Sequence, residues 1–276
     1  MTQQTTTIHW AFSEKNIFEK IKILRQSEIE VFNLKTKVCV PQLPARDVEV
    51  LEFKLHPPKK GFSTKEGQAR MLHDLASIEL QAMELGLRTL VEFPHENQQF
   101  RDELWKLTLS ESEHLEMCLT EIEALGFKWG DWPINCGLWQ SVSAHDSLLD
   151  RLLIVHRYLE GSGLDAGDTL LKRLGGVDAV GVKNAVKIIN TEEIGHVLFG
   201  SNWYNYYCLQ AGLDPVDDFI CRMNRLRPLL PKRVNPINHD LRCLAGFTES
   251  EILYLEKLRE SVLEKKSSRY QNLQRA

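Results

Sequence analysis

The stretch TEEIGHVLFGSNWY, residues 191–204, has the character of a helix. Within it Glu193 and His196 stand in line with Ile189, Gly200, Trp203 and Tyr207, at spacings of 4, 3, 4, 3 and 4. That line is the face a helix ordinarily turns toward a core. A lone ionised carboxylate moved into a low-dielectric interior costs tens of kcal/mol in the idealised limit. It must therefore be neutralised, paired or bound to a cation.

Working outward, four long helical patterns appear, separated by clear breakers. The first runs over about 64–93 and ends at Pro94. The second covers about 97–125, with Gly126 as its stop. The third covers about 141–161, and the fourth about 177–210, which ends at AGLDP. On the apolar stripe of the first helix lie Leu72, Leu75, Glu79, Ala82, Gly86 and Leu90. The second has Leu104, Leu107, Glu111, His114, Cys118 and Leu125. The third has Leu149, Leu153, His156 and Glu160, and the fourth Val182, Val186, Ile189, Glu193, His196, Gly200 and Trp203. A glutamate interrupts every stripe. In the second and fourth helices a histidine follows it three residues later on the same face.

Four converging carboxylates need several positive charges, and two divalent cations supply them while two neutral imidazoles add nitrogen donors. One Glu from each of two helices, with Glu-x-x-His from each of the other two, is the pattern of di-iron and di-manganese carboxylate bundles. The spacing agrees: Glu79 to Glu111 is 111 − 79 = 32 residues, and Glu160 to Glu193 is 193 − 160 = 33. Two hairpins of nearly equal register suit a site with internal pseudo-twofold symmetry. A single Glu-x-x-His is a weak signal; Glu92 and His95 form a third one, but Pro94 breaks it at a helix end. The force lies in the joint occurrence on apolar stripes.

The fold expected is all-α. A four-helix bundle at 61–210 is preceded by an irregular N-terminal arm, part extended, at 1–60, and followed by a helical extension at 211–276. In the arm, FSEKNIFEKIKILRQ reads as a short helix capped by Ser13, and KVCVPQLPARDVEVLEFKLHPP as extended chain. The extension carries VDDFICRMNRL and TESEILYLEKLRESVLEK as shorter helices and ends in a polar tail expected to fray.

With 276 residues the chain can bury a sizeable core, and 43% hydrophobic and 26% charged residues mark an ordinary globular composition. No run approaches the roughly eighteen apolar residues of a membrane span, and the start lacks the pattern of a secretory signal. Six cysteines without a C-x-x-C pair read as reduced thiols, so a cytoplasmic location is expected. The net charge of −4 gives no global attraction to nucleic acid.

Several other residues weigh less. Glu192 precedes a ligand position and is a candidate to orient the histidine of the opposite helix. His156 lies one turn before Glu160 and reads as a core histidine or a supporting group. His73 and His145 have weaker claims. Glu84 and Glu113 lie off the stripes and read as surface charges. Trp203, Tyr204, Tyr206 and Tyr207 read as core rather than redox groups. The segment CRMNRLRPLLPKRVNPINHDLR concentrates Arg222, Arg225, Arg227, Lys232, Arg233 and Arg242 against the single acid Asp240 and reads as a solvated basic face, with an anionic substrate or tRNA as the rival.

At these residues the sequence resembles the ferritin-like superfamily. More narrowly, it is similar to a bacterial ferritin-like family known as domain of unknown function 455. The resemblance is carried by IELQAMELGLRTL, ESEHLEMCLTEIEALGFKWGDWP, GLWQSVSAHDSLLDRLLIVHRYLEGSGLD, EEIGHVLFGSNWYNYYCLQAGLDP and, more weakly, LRCLAGF, over roughly residues 45–250. It implies Glu79, Glu111, His114, Glu160, Glu193 and His196 as metal ligands and implies no substrate. His156 does not belong to its pattern. The expected function is that of an O2-activating di-iron oxidoreductase, a hydroxylase or oxidase. It would hold two iron ions, with manganese or a mixed Mn/Fe pair as alternatives. Its partners would be O2, a small-molecule substrate and an electron donor, with a homo-oligomer left open. Iron storage with ferroxidase activity, a tRNA-modifying hydroxylase, a manganese catalase and a metal-free interaction module are the rival readings.

Overall fold

The computed structural model describes residues 10–32 and 40–273, without the side chains of Val31 and residues 264–273. The start of the expected extended arm, Cys39 included, and the side chains of the C-terminal tail lie outside the described residues. The architecture is all-α and consistent with a helical bundle. Among the described residues there is no strand, only an isolated bridge between Val50 and Ile134.

Helices α1 (Trp10–Ser13) and α2 (Ile17–Gln26) lead into the long pair α3 (Lys65–Glu92) and α4 (Gln98–Ala124). A third run begins as α5 (Leu148–Leu152), widens into a π-helical segment at Leu153–Glu160 and continues as α6 (Gly161–Leu174). Then come α7 (Val180–Gln210), α8 (Pro215–Leu226), α9 (His239–Leu244) and α10 (Glu249–Leu273).

Local chemistry explains the boundaries. The Thr64 side chain caps α3 by accepting from the Gly67 N–H, and Asn97 caps α4 through Gln99 and Phe100. Gly126, at φ +89°, takes the left-handed conformation that stops α4. Two expectations need correction. The cap of α2 is Asn16, whose side chain accepts from Phe18 and Glu19, whereas Ser13 closes the preceding single turn. The third helix starts later than residue 141, because Ser147 and Asp150 form a reciprocal capping box. It also runs past Gly161, because Gly161 and Gly167 serve close packing instead of stopping the helix. A Cβ on Gly161 would lie 2.2 Å from Nη1 of Arg242, and one on Gly167 would lie 2.1 Å from Oδ1 of Asn190.

The chain divides into two compact units. One holds residues up to His145 with Leu174–Val186; the other holds Asp146–Arg173 and the chain from Lys187 onward. In the first, the N-terminal segment is integral to the packing. Phe12 packs on Trp139 and Phe32 on Trp105, while Arg101 donates to the carbonyls of Phe32, Leu90 and Phe93. Glu84 is fully buried and holds Lys20 from α2 and a two-pronged Arg46, so it is not the surface charge its off-stripe position suggests. The α3–α4 pair closes at Gly86, where a Cβ would lie 2.2 Å from Oγ1 of Thr108.

The second unit has an ionic core. Arg157 makes two 2.9 Å bonds to the Glu251 carboxylate and lies over the rings of Tyr204, Phe219 and Phe247. Asp165 accepts from Arg242 and Arg259, each at 2.7 Å, and from the Asn238 N–H.

His73 in the first unit is wholly buried, stacked on Trp129 at 4.6 Å, and its Nε2 accepts from the Gly130 N–H. Burial pushes its pKa from 6.5 down to about 4, with Asp74 opposing.

Two outcomes follow from this packing. Gly86→Ala forces the α3–α4 pair apart and should cost about 1–3 kcal/mol. Gly163→Ala, where a Cβ meets nothing within 4 Å, should gain up to about 1 kcal/mol from helix propensity. Chemical denaturation of the two variants checks the pair, and equal effects would refute the close approach. For His73, the unfolded chain takes up a proton near pH 6.5 while the folded chain resists to about 4. The stability is fully present above the unfolded value and is lost as pH falls toward the folded one, by on the order of 3 kcal/mol. Urea unfolding at pH 7 and pH 4.5 should show a smaller drop for His73→Gln than for the unaltered chain.

Candidate metal centre

In the first unit the α3–α4 pair brings Glu79, Glu111 and His114 together. All three are buried. Nδ1 of His114 lies 3.6 Å from Oε2 of Glu79 and 3.8 Å from Oε2 of Glu111. Cys118, one turn beyond His114, is also buried. Burial, and then the nearby Glu79 charge, push its thiol well above its ordinary pKa.

In the second unit the π segment carries His156 and Glu160, and α7 carries Glu193 and His196. All four are buried. Nδ1 of His196 lies 3.2 Å from Oε1 of Glu193. Nδ1 of His156 lies 2.9 Å from Oε2 of Glu160, and its ring meets Phe199 edge-on at 5.1 Å. A Cβ on Gly200 would lie 2.3 Å from Cβ of His156, so α7 meets the π segment closely there. π-helical turns are uncommon and recur at functional sites.

Each pair repeats the other's design. Gly86 follows Glu79 by seven residues and meets Thr108, three before Glu111. Gly167 follows Glu160 by seven residues and meets Asn190, three before Glu193. The helix crossing and the ligand positions thus share one register in both pairs.

Glu111, His114, Glu193 and His196 form a buried cluster that can hold a metal ion: each offers one ligand atom, and these atoms all lie within 4.8 Å of one another. Ligand atoms about 2.1 Å from a common ion are about 3.0 Å apart at right angles and about 4.2 Å apart when opposed. The 3.2 Å separation within the second Glu-x-x-His suits such an ion, and the 3.8 Å separation in the first is slightly wider. The donor set, carboxylate oxygen and imidazole nitrogen without thiolate, fits iron, manganese or zinc.

Glu192 is exposed, as are Glu113 and His145. Trp203 and Tyr204 are buried, whereas Tyr206 is 41% exposed. The Tyr204 hydroxyl bonds to Asp218, and burial raises its pKa. The basic run is not a uniformly solvated face. Arg222 bonds to Asp150 and Asp218, Arg225 to Asp150, Arg242 to the buried Asp165, and Arg227 to the Ser261 hydroxyl. Apart from Asp218, four residues before Arg222, their partners lie far along the chain, which hides them from local reading. The glycine seven residues after the earlier glutamate recurs in both hairpins when they are aligned on their glutamates, but its contacts with Thr108 and Asn190 are visible only in three dimensions. The π segment has no comparable signal.

No solved structure matches the chain. A curated relative, an uncharacterised protein of Haemophilus influenzae, is 32% identical over 214 residues, which cover 74% of this chain and 73% of that protein. The model of the family described as protein of unknown function DUF455 matches residues 3–253, and the chain belongs to that family.

Proposed function

We propose that the chain is a binuclear metalloprotein, an O2-activating oxidoreductase that acts on a small molecule. The observation that carries this reading is the buried group Glu111, His114, Glu193 and His196. Two carboxylates and two imidazoles, clustered away from water, are costly to assemble without a cation.

In this reading Glu79, Glu111, His114, Glu160, Glu193 and His196 would together hold two metal ions, the glutamates supplying oxygen donors and the histidines nitrogen donors. Four glutamates then balance two divalent cations. The repeated register of the two hairpins supports the equivalence. Iron is the first choice, and manganese or a mixed pair fits the same donors. A bound iron pair supplies the electrons that activate O2 for hydroxylation or desaturation, with an external donor restoring them. The protein's own part is to hold the ligands, keep the imidazoles neutral as nitrogen donors, and exclude water through burial. The pairing of Arg222, Arg225 and Arg242 with carboxylates weighs against a nucleic-acid partner. Among the described residues no helix is long and apolar enough to cross a membrane. The free cysteines among them support action in the reducing cytoplasm.

Metal content by elemental mass spectrometry, on protein purified without chelator, should give about two iron or manganese atoms per chain. Glu193→Ala should lose most of that metal while circular dichroism still reports a helical protein. A variant that keeps its full content would refute the ligand assignment.

A further inference from the structure

We infer that His156 tethers Glu160 and makes the two metal positions of the proposed centre unequal, an inference that rests on the binuclear reading above. When the two hairpins are aligned on their glutamates, Glu160 falls on Glu79, Gly167 on Gly86, Asn190 on Thr108, Glu193 on Glu111 and His196 on His114. The ligand layer is then the same in both. In this register His156 falls on Leu75, four residues before the glutamate, and Gly200 falls on Cys118, seven residues after the other one.

The two departures form a matched pair. In the second hairpin the space that a side chain at 200 would need is taken by the His156 side chain, since a Cβ there would lie 2.3 Å from Cβ of His156. A leucine and a cysteine have been exchanged for a histidine and a glycine. The histidine brings a nitrogen donor, which leucine does not have. Phe199 fixes one edge of the ring, and Nδ1 reaches Oε2 of Glu160 at 2.9 Å.

Against an ionised Glu160, Nδ1 carries the proton and donates. One carboxylate oxygen, Oε2, is thereby engaged. The bond fixes the Glu160 rotamer before any ion arrives, so ordering that side chain costs less on binding. The corresponding device is absent from Leu75. The Glu160 side of the centre is therefore the prearranged one and fills first. Partners that orient a ligand typically change metal affinity by about 10- to 100-fold.

Isothermal titration of the metal-free full chain with Mn(II) tests this, with elemental analysis of the product. The unaltered chain should take up two ions in two distinguishable steps. His156→Leu, which copies Leu75, should weaken the tighter step by about 10- to 100-fold and leave the weaker one in place. His156→Gln keeps an N–H donor and should recover part of the loss. Leu75→His combined with Cys118→Gly transplants the tether and should bring the two steps together. It keeps the test decisive if His156→Leu does not fold. Two equal steps in the unaltered chain, or unchanged steps in His156→Leu, would overturn the tether while sparing the binuclear reading. A chain that takes up no metal at all would overturn that reading, and the tether with it.

Discussion

The desolvation of carboxylates on inward helix faces constrains everything around the centre. Glu79, Glu111, Glu160 and Glu193 are each 9% exposed or less. Water cannot stabilise such charges, so the scaffold must hold compensating groups at short range and keep them there. Close helix approach is what makes this possible. Gly86 against Thr108 and Gly167 against Asn190 each set one helix of a pair on the other, two turns from the glutamate they serve. Had either glycine carried a side chain, the helices would separate at the level that fixes the ligand distances. The glycines and the glutamates thus belong to one device, present twice.

Whatever depended on short-range periodicity was legible in the sequence. The apolar stripes located α3, α4 and α7 to within a few residues, and Pro94 and Gly126 marked ends that the structure reproduces. The same stripes selected Glu111, His114, Glu193 and His196, the four residues of the buried cluster. Contacts between distant residues were not legible. Glu84 looked like a surface charge because Lys20 and Arg46, 64 and 38 residues away, cannot be inferred from spacing. Arg157, Arg242 and Arg259 find Glu251 and Asp165 only in three dimensions. The third helix departs from its periodicity at both ends for related reasons. Its cap depends on the Ser147–Asp150 pair, and its internal glycines face Arg242 and Asn190 instead of breaking the helix.

The repeat also shows why a motif alone carries less information than a pair of motifs. Glu-x-x-His occurs in each hairpin, and so does a glycine seven residues after the earlier glutamate. Against that shared background a departure has meaning. One hairpin carries a leucine and a cysteine at Leu75 and Cys118, whereas the other carries His156 and Gly200 in the same register, with the histidine bonded to Glu160 and packed against Gly200. Read singly, His156 is one more buried histidine. Read against its counterpart, it marks the place where two otherwise similar halves differ.

The second unit contains buried ions of another kind, and the contrast bears on the centre. Its ionic core carries its own cations: Arg157 answers Glu251, and Arg242 and Arg259 answer Asp165. Guanidinium groups hold their charge throughout the accessible pH range, so these pairs are self-contained. The four-residue cluster is made differently. It has two carboxylates and two imidazoles, and none of the four bears a permanent positive charge. With neutral imidazoles its own side chains sum to −2, and Glu79 and Glu160 add a further −2; in the proposed reading two divalent ions would balance that charge. Protonated imidazoles would balance the charge as well, but they would then have no lone pair to offer a metal. Metal and proton are thus alternative ways of satisfying the same buried charges, and metal affinity should fall in acid as the histidines are claimed by protons.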